Sequence, residues 1–219
     1  MARLALIAID GPSGVGKSTT AKALAARLGW DYLDTGGMYR CAALAALRSG
    51  LGPGDPGIRD LMDRLRIEQI GTSFLMDHED VSAAIRTPEV TRLSSPLSAD
   101  PRVREALVPQ QRRIGERGGW VVDGRDIGTV VFPDACCKVF LTASIDARAR
   151  RRFLELQAKG QPAEFPAVLA DLAERDHRDS TRDVAPLRPA EDAMILDSSD
   201  LDLGQVVTAI LARHQRHGG

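Results

Sequence analysis

The chain contains no asparagine, only four lysines among its 29 basic residues, 4% aromatic residues and three cysteines in 219 residues. Without asparagine there is no Asn-Lys-x-Asp segment of the kind with which GTPase switches read guanine. The scarcity of aromatics and a formal net charge of −1 leave neither the stacking platform nor the basic track of a nucleic-acid translocase. Nor is there a global field to gather nucleic acid or anionic lipid, so any polyanion must be held by locally concentrated charge. Cys41, Cys136 and Cys137 are odd in number and lack ligand spacing, which argues against a disulfide framework or a zinc site; they are expected to be reduced and structural. His78, His177, His214 and His217 also lack metal spacing and are expected on the surface. No apolar run approaches the roughly 20 residues of a membrane span, and the first residues lack the basic and apolar regions of a signal peptide, so the cytoplasm is the expected compartment.

With 43% hydrophobic and 27% charged residues, the composition is that of a globular protein. Apolar runs of strand length alternate with helical patterns: "LALIAID" with Lys17 to Leu28, "DYLD" with Met38 to Ser49, "GWVVD", "KVFLTA" with Ile145 to Gln157, and "AMILDSS" with Asp202 to His217. Alternation of this kind predicts an α/β fold, a doubly wound parallel sheet flanked by helices. Ala21, Leu24, Ala25 and Leu28 keep the i, i+3, i+4, i+7 spacing of a buried helix face, as do Leu203, Val206, Val207, Ile210 and Leu211. The stretch from about Gly50 to Ala99 differs. Its strand-like pieces "RIEQI" and "SFLMD", separated by a Gly71 turn, predict a small insert. A helix is expected to start at the Asp100 N-cap with Pro101 in its first turn and to end at Gly118 and Gly119, with Pro109 disturbing it or splitting it in two.

In "GPSGVGKS", residues Gly11, Gly16, Lys17 and Ser18 fit G-x-x-x-x-G-K-[ST], a loop whose backbone N–H groups surround phosphate oxygens at a helix N-terminus. A strand ending at Asp10 precedes it and a helix follows, which is the context the motif requires. Lys17 would reach the outer phosphates and Ser18 would bind Mg²⁺. The loop alone does not distinguish a switch, a motor and a transferase. A transferase needs a second anionic site, and three segments offer one. "LDTGGMYR" brings Thr35 and Arg40 to the carboxyl ends of the strands, where parallel sheets place ligands. "VVDGRDIG" adds Asp123, Arg125 and Asp126 at the same edge. "ERDHRDSTR", expected after a helix, adds Arg175, Arg178, Asp179 and Arg182, although pairs such as Glu174 with Arg178 equally suit a solvated helix. Arg148, Arg150, Arg151 and Arg152 could touch ATP from a lid, but a helix surface is the place expected for them.

Taken together, "IDGPSGVGKST", "LDTGGMYR", "EDVSAAIRTPEV", "PRVREAL", "DGRDIGTVVFPDA", "ERDHRDSTRDVAPLRPA" and "LDSSDL" cover nearly the whole chain, which resembles the bacterial cytidylate kinases, nucleoside monophosphate kinases of the P-loop class. The resemblance implies transfer of the ATP γ-phosphoryl group to CMP or dCMP. It implies one kinase domain: a core of residues 1–57 and 101–219, a short lid near 156–166, and a small α+β monophosphate-binding insert at 58–100. ATP would lie on Gly11, Pro12, Ser13, Gly14, Val15, Gly16, Lys17, Ser18 and Thr19, with Mg²⁺ on Ser18 and, through water, on Asp123. Arg40, Arg125 and Arg182 would bind the acceptor phosphate; Ser95, Arg104 and Asp126 would read cytosine; Arg175 and Asp179 would hold ribose. Lys17, Arg125 and Arg182 would be the catalytic residues. Thr35 stands in the acceptor site where many relatives carry serine, and keeps the hydroxyl. A monomer is implied, with no nucleic acid or membrane as partner.

Overall fold

The computed structural model describes residues 4–217, with the side chain of His217 excepted, so the expectation for that histidine lies outside the described residues. In chain order the first elements are β1 (Leu4–Asp10), α1 (Lys17–Leu28), β2 (Asp31–Asp34), α2 (Thr35–Arg48) and α3 (Ile58–Arg64). Next come β3 (Ile67–Ile70), β4 (Ser73–Met76), β5 (Glu79–Asp80), a 3-10 turn at Ala84–Arg86, α4 (Pro88–Ala99) and α5 (Pro101–Gly115). The chain continues through β6 (Trp120–Gly124), a π-helical turn at Ile127–Val131, β7 (Ala135–Thr142), α6 (Ile145–Ala158), α7 (Phe165–Thr181), β8 (Met194–Asp197) and α8 (Leu203–His217).

Five strands form a parallel sheet in the order β2-β6-β1-β7-β8. β1 is central because "LALIA" has no polar side chain to face water, the pattern of a strand covered on both sides. Its residues alternate between two cores. Leu6 and Ala8 join Leu33 and Val122 beneath α2 and α5, whereas Ile7 and Ile9 join Val121, Val139 and Leu141 beneath α1 and α8. A third, smaller cluster of Ala149, Val168 and Leu172 joins α6 to α7. Of the apolar faces read from spacing, Ala21, Leu24, Val206, Val207 and Ile210 are all within 3% of full burial, whereas Leu203, in the first turn of α8, is 43% exposed.

Several expected boundaries move. The second helix begins at Thr35 rather than Met38, because Asp34 acts as N-cap and its Oδ1 accepts the Gly37 N–H at 2.8 Å, turning a Gly-Gly pair that reads as a turn into a first helical turn. The helix from Pro101 runs unbroken through Pro109 and ends at Gly115. Pro109 and Glu105, whose carbonyl loses its helical partner, both lie on the exposed side of the helix. "ERDHRDST" lies inside α7, not after it, and Arg182 is the residue that ends that helix. His214 is not a free surface residue: its ring meets Trp30 edge-on at 5.2 Å and its Nδ1 lies 3.7 Å from Cys136 Sγ. The three cysteines are buried and form no disulfide.

The insert holds the two strands expected around Gly71, paired antiparallel with β5 on β4, together with helices α3 and α4, which periodicity did not reveal. Gln69 of β3 ties it to the edge of the main sheet. Its Oε1 accepts the Asp34 N–H at 2.9 Å and its Nε2 donates to the Tyr32 carbonyl at 2.8 Å. Phe74 of β4 lies so tightly over α2 that a Cβ on Gly37 would run into its ring.

Candidate active site

The strand β1 delivers its chain end to a loop that only glycine can trace. Gly14 and Gly16 have φ of 75° and 97°, and a Cβ on Gly11 would collide with the Leu141 carbonyl of β7. Gly16 is the N-cap of α1 and has no side chain to cap it, so the first N–H groups of the helix are left for an anion. Lys17, 7% exposed, folds back so that Nζ donates to the Pro12 carbonyl at 2.7 Å. Burial, reinforced by nearby Arg125, presses its ammonium well below the ordinary lysine range.

At the end of β6, the Asp123 carboxylate accepts the Ser18 hydroxyl at 2.9 Å and the Tyr32 hydroxyl at 2.9 Å, while its carbonyl accepts the Thr35 hydroxyl at 2.7 Å. Burial and then the neighbouring Asp34 push the Asp123 carboxyl up to about 6, against the pull of Lys17 and the two hydroxyl bonds. A hydroxyl beside a carboxylate at the phosphate loop is a hard-oxygen pair of the type that holds Mg²⁺ when most of its other ligands are nucleotide and water. Ser18 and Asp123 therefore fit that ion. Among the described residues no cluster of three or more His, Cys, Asp or Glu is arranged to hold a metal by itself.

Across the same cavity, of about 590 Å³, stand Arg40, Arg125, Arg175 and Arg182. Arg40 pairs with Asp34 at 2.7 Å and Arg125 with Asp179 at 2.7 Å. Burial raises Asp179, but Arg125 and Arg175 outweigh it and hold the carboxyl below its usual range. Among the described residues Arg175 has no hydrogen-bond or ion-pair partner; its Nε is buried without one, and burial followed by Arg125 lowers its pKa to about 10. Burial likewise lowers that of Arg182. This wall carries more positive charge than its carboxylates neutralise.

One corner of the cavity is built differently. Arg104 of α5, 4% exposed, forms an ion pair with Asp126 Oδ2 and donates to the Tyr39 hydroxyl at 3.2 Å, while Arg182 reaches Asp126 Oδ1 at 3.4 Å. The Asp126 side chain is thus held between two guanidiniums.

Of the residues named from sequence, Ser13, Gly14, Gly16, Lys17, Ser18 and Thr19 line the cavity, as do Thr35, Arg40, Arg125, Asp126, Arg175, Asp179 and Arg182. Gly11 and Val15 lie behind the wall, Val15 in the α1/α8 core, and Pro12 contributes the carbonyl that holds Lys17. Arg104 stands behind Asp126. Ser95 is not on the wall: its Oγ accepts from Arg178 at 3.0 Å, and its neighbours Ser94 and Ser98 face the cavity instead. The helix-surface expectation fails for Arg148, which is 5% exposed, donates to the Ala143 and Ser13 carbonyls at 3.1 and 3.0 Å and pairs with Asp176 at 2.7 Å. Arg151 and Arg152 stand at the cavity wall, and only Arg150 is fully exposed. Sequence reasoning also missed Tyr32, Asp34, Tyr39 and Arg86. Asp34 carried a signal, a carboxylate ending a strand three residues before the second glycine of "TGG"; for the others only the packing brings them to the site.

The sequence matches the family model for cytidylate kinase over residues 7–216. A cytidylate kinase of Pseudomonas aeruginosa (strain UCBPP-PA14) is 46% identical over 220 residues, covering 97% of this chain and 96% of that protein. One of Rhodococcus opacus (strain B4) is 50% identical over 212 residues, covering 94% and 93%. Among solved structures, shikimate kinase from Bacteroides thetaiotaomicron is similar with a TM-score of 0.50 and 14% identity, covering 97% of this chain and 98% of that one, a likeness of fold alone. With a phosphate loop at one wall, a basic wall opposite and relatives this similar along nearly the full length, the chain belongs to the cytidylate kinase family.

Proposed function

We propose that this protein transfers the γ-phosphoryl group of ATP to CMP or dCMP, giving ADP and CDP or dCDP. The observation that carries the reading is the pairing, in one cavity, of an uncapped helix N-terminus bearing Lys17 with a facing wall of four arginines, Arg40, Arg125, Arg175 and Arg182. Two polyanions must meet for this reaction, so neutralisation and alignment are the main catalytic tasks. Lys17 would leave the Pro12 carbonyl for the outer phosphates of ATP, whose negative charge favours its ammonium form. Arg40, Arg125 and Arg182 would grip the acceptor phosphate. That phosphate, with a second pKa near 6 for comparable monoesters, is already largely ionised at neutral pH, so its oxygen attacks without a dedicated general base. Ser18 and Asp123 would hold the Mg²⁺ that accompanies ATP, which neutralises phosphate charge. Asp126, steadied by Arg104, would accept the exocyclic amine of cytosine, where uracil offers a carbonyl instead. Arg175 and Asp179 would hold the ribose. We take residues 58–100 as the monophosphate-binding insert and 156–166 as the lid, in a monomer acting in the cytoplasm on free nucleotides.

A coupled assay of ADP release with CMP, dCMP, UMP, AMP, GMP and shikimate tests this. CMP and dCMP should turn over fastest, and Lys17→Ala should abolish turnover while leaving the unfolding transition in place. A response to shikimate alone, or a Lys17→Ala variant with wild-type rates, would overturn it.

A further inference from the structure

Asp10, the last residue of β1, is 4% exposed and has no role in the site described above. Its two carboxylate oxygens accept two successive backbone amides, Oδ1 from the Ile127 N–H and Oδ2 from the Gly128 N–H, each at 2.8 Å. Those amides open the π-helical turn whose N-cap is Asp126. An aspartate at an N-cap ordinarily spends its own carboxylate on the first free amides of its helix. Asp126 makes no such bond; its carboxylate faces Arg104 and Arg182 at the cavity wall instead. The capping duty has passed to Asp10.

We propose that Asp10 is a positioning residue for base selection, capping the Ile127–Val131 turn in place of Asp126 so that the Asp126 carboxylate stays turned toward the acceptor base. The inference rests on the reading of Asp126 as the cytosine acceptor. Asp10→Asn keeps the shape but replaces one acceptor oxygen by an NH₂ group facing a buried N–H, which favours Asp126 swinging back to cap its own turn.

The test is kcat/KM for CMP and UMP at pH 8 in wild type, Asp10→Asn, Asp126→Ala and the double variant. Asp10→Asn should lower the CMP-to-UMP ratio about tenfold, the scale of losing one charged hydrogen bond, with the KM for ATP essentially unchanged. In the Asp126→Ala background it should not change the ratio further. Asp10→Ser, whose single hydroxyl oxygen cannot serve both amides, should lower the ratio in the same direction and supplies the readout if Asp10→Asn does not fold. Ile210→Ala, a core change on α8 remote from this turn, should lower Tm without moving the ratio. If Asp126→Ala itself leaves the ratio unchanged, the cytosine reading fails. If Asp126→Ala lowers it but Asp10→Asn slows CMP and UMP equally, or still lowers the ratio in the double variant, the positioning role is overturned while the cytosine reading stands.

Discussion

Arg148→Met removes a buried guanidinium while keeping most of its apolar stem. In the structure that group ties three segments together, donating to the Ser13 carbonyl in the phosphate loop and the Ala143 carbonyl after β7, and pairing with Asp176 on α7. Asp176 has no substitute partner: its Oδ1 is already buried without one, and its side chain is only 24% exposed. Breaking a buried pair by deleting one member costs about 3–5 kcal/mol, and the 24% exposure of the Asp176 side chain argues for the low end, about 3 kcal/mol. For a domain of this length that corresponds to a Tm lowered by roughly 6–12 °C. Urea unfolding at pH 7 of the wild type, Arg148→Met, Asp176→Asn and the double variant measures both the loss and the coupling. The double variant should be more stable than the sum of the single losses predicts, by about 1 kcal/mol or more. The released Ser13 carbonyl should also loosen the loop, raising the KM for ATP more than that for CMP. An Arg148→Met variant within about 1 kcal/mol of wild type, the range of an exposed ion pair, would refute the argument.

Two further outcomes are expected. Burial raises the Asp10 pKa from 3.8 to about 7, so the folded state holds this proton more tightly than the unfolded one; its stabilising contribution is complete below about 3.8 and is lost as pH rises through about 7. Between pH 5 and pH 8 the wild type should therefore lose about 2–3 kcal/mol that Asp10→Asn does not lose, and parallel urea-stability profiles for the two proteins would contradict this. At Gly37, helix propensity favours alanine by up to about 1 kcal/mol, but the new Cβ would meet the buried Phe74 ring, an overpacking cost of about 1–3 kcal/mol. Gly37→Ala should lower Tm and raise the KM for CMP by shifting the insert; a rise in Tm would show that Phe74 yields freely.

Local pattern was enough to read the parallel sheet, the phosphate loop and the helix faces, because each is encoded in a short run: unbroken apolar residues in β1, glycines where the loop needs unusual backbone, and apolar spacing in α1 and α8. The same holds for the strand-end segments carrying Arg40, Arg125 and Asp126, since charge directly after an apolar strand must emerge at the ligand-bearing edge. Helices α3 and α4 were illegible because α3 has only 7 residues and α4 holds Pro96 within it. Partnership was equally illegible. Nothing within "DARARRRF" separates Arg148 from Arg150; one turns under α7 to meet Asp176 and the loop, and the other faces solvent. Asp10 and Asp126 are 116 residues apart, yet the crossover that brings the turn after β6 against the end of β1 lets one carboxylate cap the turn that the other begins. Local residue pattern sets which backbone conformations and chemical groups stand at the strand ends, whereas which charges pair is set by the fold, since pairing depends on distances between segments that the chain brings together from far apart.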